Sequence, residues 1–291
     1  PILACTAPFG FESDPAELIA AFGALGCRAC QYYRKIPDPL DPLARRASVN
    51  VPAALAIARA AGAAYDSIHG VFGESLDPSC PDPTHRLACL RVYEDEAKLA
   101  IELGGPMVVV HPGAINNGKL FLSPQDAAHS QAARWSALDD FLARLAEVGE
   151  KIGVAFLIEN LPFSCKTGFD PVELAEHVRR LRSRFIRMCF DTGHAHITVG
   201  TAACPSAPTV ADAFLACADV VSYIHVHDNN RAADSHLVPG DGTLDWPAFS
   251  AALAASRSPA TRMLELFHTP QDLARFTRGG LSGKLAAWLG V

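Results

Sequence analysis

Short apolar runs alternate along this chain with longer stretches in which apolar residues recur at helical spacing. An apolar run bounded by turn-forming residues is typical of a buried strand, and helical spacing predicts an amphipathic helix. The predicted strands are 2–5, 27–33, 65–69, 106–111, 154–159, 186–191, 220–226 and 261–266. The predicted helices are 14–25, 48–61, 84–103, 124–150, 170–182, 209–217, 246–255 and 270–288.

This alternation predicts an α/β fold, a closed (β/α)8 TIM barrel formed by residues 1–291 as a single domain. The competing fold is an open doubly wound sheet, which would need a glycine-rich phosphate loop after its first strand. The sequence there reads TAPFGF and favours the barrel. The longest irregular segments, 34–47, 70–83, 112–123 and 227–245, all follow strands and are therefore expected on the catalytic face.

Polar residues of the metal-ligand type follow most of these apolar runs. They are His69, His111, Glu159, Asp191, His194, His225, Asp234, His236 and Glu265. Taken singly, each has an ordinary explanation, such as a hydrogen-bonded histidine or, for Asp191, a helix cap. Taken jointly, groups at the carboxyl ends of barrel strands predict one site. His85, His129, His177 and His268 lie in helical context and are expected in solvent.

Imidazole and carboxylate ligands together suit zinc, manganese, iron or cobalt better than magnesium or calcium. Four protein ligands suffice for one ion. Nine groups exceed that number, so either several ions bind or some groups serve the substrate or support the ligands.

Composition bounds the partners and the compartment. Apolar residues make up 49% and charged residues 19% of the 291 residues, which predicts a large core and argues against disorder. The net charge of −6 argues against a dedicated nucleic-acid binder without ruling one out. Nine scattered cysteines, no signal peptide and no apolar run of about 18 residues predict a reduced, cytoplasmic protein with no membrane span.

The strings FLIEN, FDTGHAH, HVHDNNR, DSHLVPGDGTLDW and LELF resemble the xylose isomerase-like barrel superfamily, over about residues 2–270. That superfamily includes sugar isomerases, ketose epimerases and the endonuclease IV group. Its motifs are specific for the superfamily and do not select one reaction.

The resemblance to ketose epimerases implies one divalent metal held by Glu159, Asp191, His225 and Glu265. It also implies substrate contacts from His194 and Arg231, with His69 and His111 facing the substrate or supporting the ligands. The resemblance to endonuclease IV implies instead three metals, with His69, His111, His194, Asp234 and His236 as further ligands. Against that group, GVFGESLDP after His69 carries no lysine or arginine, and the segment 112–123 carries one, Lys119.

We therefore expect a metal-dependent isomerase or epimerase of a small sugar, keto-sugar or polyol, with manganese, zinc or cobalt as the metal. Glu159 and Glu265 would take a proton from the substrate and return one to it, with an enediolate as the intermediate. A multi-metal phosphodiesterase, a lyase or dehydratase, and a sugar-binding barrel without activity remain as alternatives. Whether the chain forms a homo-oligomer is left open.

Overall fold

The computed structural model of the chain describes residues 3–7, 27–113, 124–162, 170–201, 204–266 and 281–291. Eight parallel strands pair in chain order, and the last pairs with the first, so the predicted closed barrel is confirmed. The strands are β1 Leu3–Ala7, β2 Ala29–Tyr32, β3 Ala64–His69, β4 Met107–Val110, β5 Ala155–Glu159, β6 Ile186–Asp191, β7 Val221–Val226 and β8 Thr261–Leu264.

Helices follow most of these strands. They are α1 Pro42–Ala47, α2 Val51–Ala60, α3 Pro83–Leu103, α4 Pro124–Ile152, α5 Pro171–Leu181, α6 Thr192–Thr198, α7 Val210–Cys217, α8 Trp246–Ser256 and α9 Leu281–Leu289. The sequence did not predict α1, which interrupts the segment 34–47, or α6. The predicted helix 14–25 and the first part of 270–288 lie outside the described residues.

Aspartate caps and prolines set several of these helix starts. The Asp170 carboxylate accepts hydrogen bonds from the backbone N–H groups of Val172 and Glu173, and Pro171 opens the helix. Asp82 and Asp245 cap α3 and α8 in the same way. These caps satisfy N–H groups that the first helical turn leaves without partners, and they lock the point at which each loop enters its helix.

Alternation along the strands separates a lower interior layer from the site above it. Ala29, Val109, Leu157, Cys189, Tyr223 and Met263, on six different strands, pack together inside the barrel. Because successive strand side chains point to opposite faces, the residue two positions later points to the same interior. Those later residues are Gln31, His111, Glu159, Asp191, His225 and Glu265, and on β3 His69 follows the buried Ser67. This two-residue spacing therefore places seven polar side chains at the carboxyl end of the barrel.

His177 corrects an expectation from the sequence. It is buried rather than solvated: its ring stacks on Trp135 at a centroid distance of 4.0 Å, and its Nδ1 lies 2.6 Å from Asp139. Helical periodicity placed His177 on a helix but could not show that α4 and α5 face each other there.

Among the described residues, no helix combines the length and the hydrophobicity that crossing a membrane requires.

Asp66 gives a prediction about stability. Burial raises the pKa of Asp66 to about 6, although hydrogen bonds from Ser67 and Tyr223 favour its anion. The folded state therefore favours the neutral acid. Protonation of Asp66 contributes to the free energy of unfolding, and this contribution is fully present below about pH 4 and is lost as the pH rises through about 6. We expect Asp66→Asn to be more stable than the wild type by about 1–3 kcal/mol at pH 8 and similar to it at pH 4.

Urea unfolding between pH 4 and 8 measures this difference. Asp140→Asn is a matched control of opposite sign, since hydrogen bonds from Arg86 lower the pKa of Asp140. An Asp66→Asn variant that follows the wild type at every pH would contradict the assignment.

Candidate metal centre

The four residues Glu159, Asp191, His225 and Glu265 form an inner group at the centre of the barrel mouth. Each offers one ligand atom, and these atoms lie within 4.8 Å of one another. His225 Nδ1 is 2.9 Å from Glu265 Oε2, 3.2 Å from Glu159 Oε1 and 3.6 Å from Asp191 Oδ2. Ligand atoms of a tetrahedral zinc site are about 3.4 Å apart, given bonds of about 2.1 Å, so the spacing suits a divalent ion.

His69 and His111 form a second group with the same Glu159. His111 Nε2 lies 3.2 Å and His69 Nε2 lies 3.6 Å from Glu159 Oε2. The Glu159 carboxylate therefore faces the inner group with one oxygen and the two histidines with the other. Such a carboxylate can bridge two ions or can hold one ion beside two substrate-facing histidines.

An outer group lies on the other side of Asp191 and contains His194, Asp234 and His236. His194 Nε2 and His236 Nε2 are each 3.1 Å from Asp234 Oδ2. His227, which the sequence analysis did not single out, belongs to the same cluster. The structure therefore brings together all nine predicted ligand-type residues and adds a tenth.

Backbone carbonyl oxygens orient three of the five predicted ligand histidines. Nδ1 of His69, His194 and His236 lies 2.9–3.0 Å from a backbone carbonyl oxygen, which can accept only from a protonated nitrogen. Their Nε2 atoms point at Glu159 or Asp234, and Nε2 is the unprotonated nitrogen when the ring is in the neutral form that binds a metal. Metal-bound histidines usually donate their second ring N–H to such a carbonyl or carboxylate, so this pattern fits metal ligation.

Two carboxylate oxygens of the cluster support the same conclusion. Within the part of the chain that the structure describes, the buried Glu159 Oε2 and Asp234 Oδ1 form no hydrogen bond of regular geometry, and their imidazole neighbours are His111 Nε2 at 3.2 Å and His227 Nε2 at 3.9 Å. A buried anionic oxygen costs several kcal/mol unless a cation compensates it. Divalent ions held by these residues would supply that compensation, and the donor set of histidines and carboxylates matches zinc, manganese or cobalt.

The proton equilibria of the cluster show the same need for positive charge. Burial alone would lower the pKa of His225, but neighbouring negative groups, including Glu265 and Glu159, outweigh it and raise that pKa well above its usual value. Burial alone would raise the pKa of Glu159 and Glu265, but His225 and other histidines hold both below the usual range. Without metal, protons on the histidines balance the carboxylates; a metal ion would take their place.

The loop 227–245 is held in position by Asp228. Its backbone pairs with Leu237 through two hydrogen bonds of 2.8 Å, and its carboxylate accepts from the backbone N–H of Gly240 and Leu244 and from the Trp246 indole. This clamp fixes the loop that carries Asp234 and His236. It also supports the left-handed backbone of His236, whose φ is 44°.

Arg231 is the one predicted site residue that the structure leaves outside the cluster. It is exposed, and its guanidinium donates a hydrogen bond to the Val199 carbonyl. Its contact with substrate stays a prediction.

Gln31 and His227 are the residues that sequence reasoning missed. Gln31 occupies on β2 the position that the ligands occupy on the other strands, and its side-chain amide lies 3.4 Å from His225 Nε2. The string CRACQYY carried that signal, since Gln31 lies two residues after the interior Ala29. His227 lies two residues beyond His225 in HVHDN, and the alternation that placed His225 in the barrel could have placed His227 on the same side.

Gln31 gives a prediction about metal affinity. If His225 binds metal through Nδ1, its Nε2 is protonated and needs an acceptor. As placed, the Gln31 amide nitrogen faces that atom at 3.4 Å, and turning the amide over would present its oxygen, Oε1, as the acceptor. We expect Gln31→Leu to weaken metal binding about 10- to 100-fold. Gln31→Glu keeps an acceptor and should bind metal at least as well as Gln31→Leu. Competition with a chromophoric chelator measures the affinity, and equal affinity of wild type and Gln31→Leu would contradict the role.

Comparison with known proteins places this geometry in a family. The model for the xylose isomerase-like TIM barrel matches residues 19–289. Two uncharacterized curated proteins, from Methanocaldococcus jannaschii and Sinorhizobium fredii, are 27% and 29% identical over 62% and 64% of this chain. The matched regions cover 56% and 54% of those proteins, so the chain spans about half the length of the curated relatives it matches.

Solved structures of similar fold include two sugar epimerases and a related protein. A D-tagatose 3-epimerase-like protein superposes with a TM-score of 0.75 at 19% identity, covering 100% of this chain and 97% of its own. A 3-keto-D-glucoside 4-epimerase from E. coli gives 0.71 at 17% identity, covering 100% of both chains. An L-ribulose 3-epimerase gives 0.71 at 16%, covering 99% and 94%. At these identities the likeness establishes the fold, and with the family match it shows that this chain belongs to the xylose isomerase-like TIM barrel family.

Proposed function

We propose that this protein is a divalent-metal-dependent isomerase or epimerase of a small sugar, keto-sugar or polyol. One observation carries the proposal: two buried glutamates, Glu159 at the end of β5 and Glu265 just after β8, face the same nitrogen of His225 from different strands. Two carboxylates converging on one point can take a proton from a substrate carbon and return one to it.

The charge state of the two glutamates suits this role. In the metal-free protein the pKa of each is held below its usual value by the neighbouring histidines, so both are ionised and each presents an unprotonated oxygen. One glutamate would remove the proton from the carbon beside a carbonyl, giving an enediolate, and a proton returned to the other face would complete an epimerisation. Return to the neighbouring carbon would complete an isomerisation.

Glu159, Asp191, His225 and Glu265 would hold the metal. A divalent ion there supplies a Lewis acid that stabilises negative charge on the substrate oxygens. His69 and His111, whose Nε2 atoms face the same carboxylate, would contact the substrate from the side of β3 and β4. His194 would contact it from α6, and Arg231 would join it after releasing Val199.

Aromatic rings border the His69 and His111 side of the mouth and suit a small substrate. Phe72 stacks on His111 at a centroid distance of 4.4 Å, and Tyr33 meets His69 edge to face at 5.7 Å. Both aromatic residues are half-buried. An aromatic face beside hydrogen-bonding imidazoles matches a sugar, which presents C–H groups on one side and hydroxyl groups around its edge.

The comparisons support the same class, because two of the named solved structures of the same fold are sugar epimerases. The cytoplasmic location stays a prediction, and the oligomeric state stays open. A lyase or dehydratase would begin with the same proton abstraction, so the products of the assay decide between these reactions.

A multi-metal phosphodiesterase is the second candidate, and the three adjoining ligand groups favour it. Three clustered ions could generate hydroxide and neutralise a phosphate. The net charge of −6 and the absence of lysine and arginine from residues 70–80 weigh against a nucleic-acid substrate, which binds largely through phosphate contacts. Cleavage of abasic DNA at enzyme-like rates, with no turnover of any keto-sugar, would reverse the order of the two candidates.

The glutamates provide the test. Keto-sugars are incubated with the metal-loaded protein in D2O, and NMR follows both product formation and exchange of the carbon-bound hydrogen. We expect Glu159→Gln and Glu265→Gln each to lower turnover about 10²- to 10⁴-fold, because each removes one proton-transfer group. If each glutamate serves one face, one variant should still exchange hydrogen without forming the epimer.

Metal content is measured on the same samples, because Gln is also a weaker ligand. Asp140→Asn, on the outer surface of α4, is the matched control and should keep wild-type turnover. Near-wild-type turnover in either glutamine variant at full metal occupancy would contradict the proposal.

A further inference from the structure

His227 is buried between the inner and outer ligand groups. Its Nε2 lies 3.0 Å from the Asp191 carboxylate, and the ring stacks on His236 with a centroid distance of 4.0 Å and an interplanar angle of 9°. The backbone is held as well, since His227 and the Thr192 hydroxyl exchange two hydrogen bonds of 2.8 and 3.1 Å. The residue thus touches one ligand from each group.

Space for this ring depends on Gly193. A Cβ atom at position 193 would lie 2.0 Å from His227 Cε1 and 2.3 Å from its Nδ1, closer than any real contact. The glycine sits between Asp191 and His194, which belong to the two groups. Only a residue without a side chain therefore fits at position 193, in the first turn of α6, where the His227 ring lies.

Two roles are open to a histidine in this position. As a fourth ligand of the outer group it would complete a set of three histidines and one carboxylate, because its Nε2 is 3.9 Å from Asp234 Oδ1. As a positioning residue it would donate Nε2–H to Asp191 and hold that carboxylate for the inner metal.

The stacking geometry favours the positioning role. A ligand nitrogen directs its lone pair within the plane of its ring. Because the rings of His227 and His236 are nearly parallel and 4.0 Å apart, their in-plane lone pairs do not converge on one ion.

The second ring nitrogen gives the same answer. His69, His194 and His236 each place Nδ1 against a backbone carbonyl, as a ligand with a protonated Nδ1 requires. His227 Nδ1 is buried, and among the described residues none forms a hydrogen bond with it. If Nε2 bound metal, Nδ1 would be a buried N–H without an acceptor, which is rarer in proteins than an unpaired acceptor. With the proton on Nε2, Nδ1 is only an unpaired acceptor.

We propose that His227 is a positioning residue that donates its Nε2–H to Asp191 and thereby sets the metal affinity of the inner group. Asp191 is oriented from other directions too: its carboxylate accepts the His194 backbone N–H at 2.6 Å, and its own backbone exchanges two hydrogen bonds with the Asn160 amide. His227 supplies a side-chain donor whose nitrogen, at 3.0 Å, lies closer to the carboxylate than His225 Nδ1 at 3.6 Å or His194 Nδ1 at 3.5 Å. This inference rests on metal binding by the inner group and is independent of the reaction proposed for it.

Two substitutions separate the N–H donor from the ring. His227→Gln keeps an N–H donor at a reach similar to that of Nε2 but has no ring and no imidazole ligand. His227→Phe keeps the ring and its stacking on His236 but has no donor, and His227→Leu is a smaller apolar replacement should phenylalanine prevent folding. His196→Gln is the matched control, since His196 is a buried neighbour whose Nε2 contacts the Thr243 hydroxyl.

The measurements are Zn²⁺ content at saturation, Zn²⁺ affinity by chelator competition, and the visible spectrum with Co²⁺. We expect His227→Phe and His227→Leu to weaken the inner site about 10- to 100-fold, with unchanged metal content at saturation. His227→Gln and His196→Gln should stay within a few-fold of the wild type.

Each other result overturns the inference in a recognisable way. Loss of one equivalent of metal at saturation in both His227→Gln and His227→Phe would make His227 a ligand. Weakening by His227→Gln but not by His227→Phe would make its role one of packing. Wild-type affinity in all variants would leave it no role at the metal. A wild-type protein that binds no metal would instead refute the metal dependence of the proposed function.

Discussion

The site depends on how three buried carboxylates are compensated. Glu159, Asp191 and Glu265 are each at most 2% exposed, and they converge on one histidine nitrogen. Negative charge removed from water to this degree needs cations at contact distance. The surrounding histidines and the spacing of the ligand atoms are consistent with that requirement. In the metal-free protein, protons on the histidines can compensate the three carboxylates. A divalent ion would compensate them through the ligand geometry that the chain provides.

The barrel explains why these groups meet. Parallel strands end on the same side, and alternation puts every second side chain inside. The inner layer closes the barrel with apolar residues such as Leu157 and Met263, and two residues later Glu159 and Glu265 stand above it. A shift of one residue in either strand would turn a glutamate into the helix layer. The register of the strands therefore determines the geometry of the site.

Much of this could be predicted from the sequence, because the apolar runs and the residues after them report that alternation directly. The ends of β3, β5, β6 and β7 and the starts of β6 and β8 were predicted to the residue, and the remaining strand boundaries differ by one or two positions. The sequence offered two separate explanations for Asp191, a helix cap and a site residue. In the structure Asp191 is both the N-cap of α6 and a member of the inner group. What the sequence could not give were contacts between distant elements. The burial of His177 by α4, the position of Arg231 against Val199 and the stack of His227 on His236 all depend on packing.

Anomalous diffraction from crystals of the protein, recorded at the metal absorption edges with elemental analysis of the same sample, tests the central claim most directly. The account predicts a divalent ion coordinated by Glu159, Asp191, His225 and Glu265. Further ions beside His111 or Asp234 would raise the phosphodiesterase candidate, and a single ion would favour the isomerase. A protein purified in the presence of zinc, manganese or cobalt that carries no metal, and shows no anomalous peak between these four residues, would contradict the account.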